Sequence, residues 1–305
     1  MLIILKAIVP VFALVMIGAF LRKRKFPGVG FWPMADKLTY FILLPSLLVE
    51  KLALAKIDGE AFFQIGILLP SCTIATGLLA GLFCYFLKVL PKSAPSVWQG
   101  SIRPNTYVGL AAAGALFGEN GLTLVALCLL WVVPLVNVLS VSAFAFYIPE
   151  NGRHPKAILK NIFTNPLVLA CLIGIFLNIT QIKLPFGSAD LLSIMSKAAL
   201  PLGLLSVGNG LQLDSLFSNW RPSILALLLK LIFLPLSIYF LGVFMEIADQ
   251  VLLPVVLVGS VPCAVSSYIL AGQLKGDQPL MARIITLETL LAILTMPFIL
   301  FLVSK

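Results

Sequence analysis

Apolar runs follow one another along this chain with only short polar interruptions, and each run has the length at which an α-helix crosses about 30 Å of hydrocarbon, roughly 17–25 residues. Ten can be counted: Leu2–Leu21, Phe31–Ala53, Gln64–Val89, Pro95–Phe117, Gly121–Ile148, Ile158–Ile179, Leu191–Leu213, Ser223–Phe244, Val251–Leu274 and Pro279–Val303. The pattern predicts an all-α integral membrane protein. The connections leave no room for a soluble domain. The first run carries its basic cluster, Arg22 to Lys25, after the apolar stretch and not before it, so it reads as a retained helix and not as a cleaved leader.

The runs also repeat. PVFALVMIGAFL from Pro10 aligns with PLVLACLIGIFL from Pro166 at a constant offset of 156, and the same register carries Leu44 and Pro45 onto Leu200 and Pro201. Small changes in loop length pair Pro70 with Pro235, Pro104 with Pro262, and Pro134 with Pro297. Five spans per repeat is an odd number, so the second half enters the membrane the opposite way up. The expectation is a five-plus-five inverted repeat of ten transmembrane helices, with residues 1–148 as the first repeat and 149–305 as the second. Inverted repeats of this kind are the architecture of alternating-access transporters, whose substrates bind near the midplane where interrupted helices meet.

Two partner spans carry the oddest residues. GSIRPNTYVGLAAAGALFGENG aligns with VGSVPCAVSSYILAGQLKGD at an offset of 158, pairing Pro104 with Pro262, Gly118 with Gly276, and Glu119 with Asp277. Proline removes a backbone donor and clashes with the preceding turn. Backbone freed in hydrocarbon is tolerated only against protein or in a wet cavity. The reading is therefore two crossed, proline-interrupted helices, with Asn105, Thr106 and Tyr107 following one break and Cys263, Ser266 and Ser267 following the other. The half-helix starts after each break present free N–H groups and the positive end of a dipole, which suit an anion.

Composition and charge fill in the rest. Hydrophobic residues make up 60% of the chain and charged residues 11%, with a mean hydropathy of +1.09. Connections after odd-numbered spans hold twelve Lys and Arg, among them Arg22, Lys92, Arg153, Lys156 and Lys160; the opposite side holds only Lys51, Lys56, Lys183 and Lys305. Basic loops stay cytoplasmic, which places both termini outside. The net charge of +9 then anchors the chain beside anionic lipid headgroups. Nucleic-acid binding is excluded because no basic stripe is interleaved with exposed aromatics.

Several polar residues need an account. Arg103 beside the first break either forks onto a substrate carboxylate or reaches the cytoplasmic vestibule. Lys230, deep in LLLKLIF, needs a partner, and Glu288 in TLETLLAIL is the nearest by depth: a structural ion pair or a proton-coupling device. Asn137 and Asn209 read as interhelical hydrogen-bond glue, while Asp36 and Glu50 lie nearer span ends and see water. All five cysteines, Cys72, Cys84, Cys128, Cys171 and Cys263, fall within apolar runs and read as small hydrophobes, with Cys263 kept apart for its position after the second break. No metal site, cofactor site, catalytic triad or phosphate loop is legible, and His154 lies alone in a charged loop. Enzyme activity is not expected.

RPNTYVGLAAAGALFGENGL, KNIFTNPLVLACLIGIF, KAALPLGLLSVGNGLQL, LKLIFLPL and VPCAVSSYILAGQLKGDQPLMARIITLETLLAILTMP resemble, in order and spacing, the auxin efflux carrier family of membrane transporters, in its short bacterial type. The resemblance implies a fold related to bile-acid sodium symporters, a scaffold of spans 1, 2, 6 and 7, and a moving core of spans 3–5 and 8–10. It implies crossover helices at Pro104 and Pro262, a substrate-facing Asn105, and substrates such as auxin, malate or malonate. Where many relatives have Asn after the second proline, this chain has Ser266 and Ser267.

The expected function is secondary transport of a small organic anion, mono- or dicarboxylate, by elevator-like motion of the core. A membrane ligand sensor using the same cavity and a sodium-coupled symporter of the bile-acid type stand as alternatives. Expected partners are the anion and the bilayer, with a homodimer left open.

Overall fold

The computed structural model describes residues 1–28, 30–55, 59–148, 164–182, 187–212 and 220–304. Among these the chain is helical, and its one β-type contact is an isolated bridge. The order is α1 (Leu2–Lys23), α2 (Phe31–Leu38), a π-turn (Thr39–Leu43), α3 (Leu44–Ala53), α4 (Gly59–Phe86), α5 (Ala94–Ile102) and α6 (Thr106–Tyr147). Then come α7 (Pro166–Thr180), α8 (Ser188–Gly210), α9 (Trp220–Leu228), a second π-turn (Leu229–Phe233), α10 (Leu234–Phe244), α11 (Asp249–Ser260), α12 (Ser266–Gln273) and α13 (Gln278–Val303).

Six helical stretches are by themselves long and apolar enough to cross a membrane: α1, α4, α6, α8, the continuous run Trp220–Phe244, and α13. The other apolar runs of the sequence are carried by shorter pieces, and proline is the main reason. Pro10, Pro70, Pro134, Pro201 and Pro297 sit inside helices that continue past them, as apolar helices packed among neighbours allow. Pro45 and Pro235 each lie two residues beyond a five-residue π-turn. The widened turn makes room for the carbonyl four residues back, which the ring would strike and which has lost its donor. Pro104 and Pro262, by contrast, each follow directly on a helix end, after α5 and α11. The 42-residue α6 bends at Gly118, whose φ of 63° and ψ of −151° suit a residue without a Cβ.

Outward faces are apolar: Ile3 is 82% and Phe244 84% exposed, surface that only a lipid environment leaves without cost. Inside, small residues let backbones approach. A Cβ on Gly18 would stand 2.0 Å from the carbonyl oxygen of Leu205, and one on Gly208 would stand 1.8 Å from that of Val15, so α1 and α8 touch backbone to backbone. Gly174 brings α7 onto α3 at Leu52 in the same manner. α3 also packs on α8, while α4 lies on α5 and α6, and α10 lies on α11.

The basic connection with Arg153, His154, Lys156 and Lys160, the loop lysines Lys56 and Lys183, the terminal Lys305 and the junction of the two repeats after Ile148 lie outside the described residues. Of the basic loop residues, Arg22 reaches α8: its guanidinium donates to the carbonyl oxygens of Asn209, at 3.1 Å, and of Leu211.

Candidate functional site

The site begins with two residues that precede proline. A residue before proline is pushed out of the helical region, and Arg103 (ψ 117°) and Val261 (ψ 150°) are both extended, ending α5 and α11. The two short extended segments lie antiparallel, bridged at Pro104 and Cys263. The amide of Asn105 donates to the carbonyl of Pro262 at 2.8 Å. Each break therefore satisfies part of the backbone that the other sets free.

Asn105 restarts the chain as a helix. Its side-chain oxygen accepts from the amide of Val108 at 3.2 Å, an N-cap on α6. Asn105 is buried, and its Nδ2 has no hydrogen-bond partner. Thr106 and Tyr107 follow, half-buried, in the first turn of α6. Tyr107 turns toward α8, where its ring fills the space a side chain on Gly203 would need: a Cβ there would stand 2.3 Å from Cδ1 of Tyr107.

The second break is polar and closed. Cys263 is buried; its amide donates to Oε2 of Glu288 at 2.8 Å, and its thiol lies 3.7 Å from the carbonyl of Gln99 and 3.2 Å from the hydroxyl of Ser267. Ser267 is buried with it, whereas Ser266 is exposed at the start of α12. Glu288 on α13 and Lys230 in the second π-turn are both 0% exposed. Their charges act on each other, yet neither Nζ of Lys230 nor Oε1 of Glu288 has a hydrogen-bond partner.

Arg103 is held by the protein. Its guanidinium donates to Oε1 of Gln99 at 3.1 Å and to Oδ1 of Asn137 at 2.8 Å, and its charge reaches Tyr40 and Cys263. The structure thus gathers Arg103, Pro104, Asn105, Pro262, Cys263, Ser267 and Glu288 at one crossing, with Lys230 in electrostatic reach, and leaves Ser266 and the Tyr107 ring at its margins.

Sequence reasoning missed Gln99, and it gave Asp36 to water at a span end and not to a partner helix. Gln99 carried a signal, being a carboxamide one helical turn before Arg103 in an apolar run. Asp36 carried none: it accepts a hydrogen bond from the hydroxyl of Ser206 on α8, 170 positions away, and its charge reaches Tyr107. No spacing announces a partner at that distance.

Fold and site define a class: a multi-pass, all-helical membrane protein organised around two paired helix breaks. Comparison with known proteins adds that residues 200–305 match the Sodium Bile acid symporter family. Over 298 residues the chain is 23% identical to an "Uncharacterized transporter" from Methanothermobacter thermautotrophicus, covering 96% of each chain. Both comparisons lead to transporters. The resemblance to the auxin efflux carrier family is overturned by this result, because the family matched is the bile-acid one. Short motifs around a proline break and small-residue helix contacts follow from crossed-helix packing itself, so they do not separate one family of such folds from another.

Proposed function

We propose that the chain is a secondary transporter of the bile-acid symporter type, carrying a small organic anion by alternating access through the crossing of the two breaks. The observation that carries this reading is the donor left at the first break. Asn105 uses its oxygen as a cap and holds a buried Nδ2 with nothing to bind, and a buried amide without a partner is costly unless a ligand takes it. Charge supports the same reading. Arg103 and Lys230 both act on Cys263, and the carboxylate at the crossing is Glu288, so the crossing carries one positive charge in excess and attracts an anion.

The wider architecture in this reading is ten membrane crossings in a five-plus-five inverted repeat with both termini outside. The segments around Pro104 and Pro262, equivalent positions in the sequence, support it by meeting, Pro104 opposite Cys263 and Asn105 bonded to Pro262. The packing of α1 and α3 with α7 and α8 supports a scaffold against which the crossing elements move in elevator fashion. The description of the matched family raises sodium as the coupling ion to be tested.

The test is counterflow of labelled mono- and dicarboxylates in proteoliposomes. Exchange of label is expected, whereas saturable binding without exchange would replace the transporter by a ligand sensor. Concentrative uptake under an imposed sodium gradient would establish symport.

A further inference from the structure

Sodium, which the family description brings with it, can be tested against the residues at the crossing. A hard cation is held by a shell of oxygen acceptors, carboxylates and carbonyls above all. Among the described residues, no group of three His, Cys, Asp or Glu side chains gathers to hold a metal ion. The one carboxylate at the crossing is Glu288, and what faces it are donors. The loop after Pro262 gives its oxygen Oε2 the amide N–H of Cys263 at 2.8 Å.

From α5, the glycine at position 100 presents no side chain, and a Cβ there would stand 3.5 Å from Oε1 of Glu288. The second π-turn packs on α13, the helix of Glu288, and brings up the fully buried Lys230 ammonium, whose charge acts on Glu288 and on Cys263. Arg103 adds a second cation in reach of Cys263, with its own donors engaged by Gln99 and Asn137. An inorganic cation would enter a layer that already holds two positive charges and one negative. The donor set does not fit sodium.

Two buried, oppositely charged side chains, each with a polar atom that lacks a hydrogen-bond partner, also need an account of their own. Lys230 lies between flanking leucines in the middle of a transmembrane run, too far from either surface to reach water. Glu288 spends one oxygen on the backbone of the break and keeps the other, Oε1, free of hydrogen bonds. The opposite charge acting on Glu288 is that of Lys230.

We propose that the Lys230 ammonium is the resident counter-ion of Glu288, filling from within the chain the role that a coupling cation would fill at this crossing, so that the crossing neither binds nor requires sodium. The inference rests on the transport reading for its functional meaning, but its test does not. A neutral residue at 230 uncovers the carboxylate and turns the same place into a cation site. A conservative charge at 230 leaves it closed.

The experiment is thermal unfolding of the purified full chain in detergent, in sodium chloride against choline chloride at equal ionic strength. The wild type is expected to melt alike in both salts. Lys230→Met is expected to melt lower in choline and to recover by roughly 2–4 °C as sodium is added, saturably. Lys230→Arg should stay indifferent, and adding Glu288→Gln to Lys230→Met should abolish the response. A saturable, sodium-specific rise in the wild type overturns the proposal, as does a folded Lys230→Met protein that ignores sodium. If Lys230→Met does not fold, the wild-type comparison decides alone. Failure of counterflow with an indifferent wild type would remove the transport reading and leave this one standing.

Discussion

The amide of Asn105 donates to the carbonyl of Pro262 at 2.8 Å. Each residue belongs to a helix break that would leave unpaired backbone in the membrane, and the bond joins the two defects into one stable element. Unpaired backbone groups are costly in hydrocarbon, so neither break is viable without the other. Their crossing is consequently a fixed feature around which side chains such as Asn105, Cys263 and Glu288 are held.

Asn105 has two roles that can be separated. Asn105→Ser keeps a good N-cap for α6 and removes Nδ2, so unfolding temperature should change little while affinity for the transported anion falls. A lost hydrogen bond to a charged group corresponds to roughly 10- to 150-fold in Kd. Asn105→Ala should add about 1 kcal/mol of destabilisation from the lost cap. Both are read from melting curves with and without the carboxylate identified by counterflow. Unchanged affinity in the Ser variant would reduce Asn105 to a cap.

The contact between α1 and α8 depends on glycine. Gly208→Ala would set a methyl group 1.8 Å from the carbonyl oxygen of Val15, so the helices must separate, at a cost of about 1–3 kcal/mol. A fall of several degrees in melting temperature is expected. Gly59→Ala, where nothing stands within 4 Å of the new carbon, is the control and should be neutral or mildly stabilising. Equal behaviour of the two variants would show that the close approach contributes nothing.

Lys51 on α3 pairs with Glu119 on α6 at 2.7 Å, one residue beyond the bend at Gly118. Glu119 is 75% exposed, so the pair should contribute less than about 1 kcal/mol. Lys51→Glu and Glu119→Lys should each lower stability slightly, and the double exchange should recover most of the loss. The coupling energy from a double-mutant cycle checks this. A coupling of zero would make the pair incidental.

Membrane orientation is open to labelling. The five native cysteines are all buried, and a background in which each is replaced by a residue of similar size removes them as competing sites. In it, a cysteine at Lys92 should be shielded from an impermeant thiol reagent in intact cells, and one at Asp249 should react. The opposite pattern would invert the topology that the basic loops predict.

Much of this protein is determined by local chemistry and is therefore present in the sequence. Apolar runs of spanning length leave a helix no alternative in lipid, since every backbone group must be paired internally. Proline before Asn105 and before Cys263 forces the residue ahead of it out of the helix, so both breaks are legible without coordinates, as is their correspondence across the chain. What required tertiary structure is everything that depends on which long-range partner a group finds. Asp36 meets Ser206, Arg103 is taken up by Gln99 and Asn137, and Cys263 gives its amide to Glu288. The same residue types would suit a substrate, a water-filled vestibule or one another. Only packing chooses, because hydrogen bonds are short and directional while sequence spacing beyond one helical turn carries no distance. Lys230 marks the boundary between the two: its burial could be read from its flanking leucines, but that its ammonium faces a carboxylate already engaged by the second break was decided by the fold.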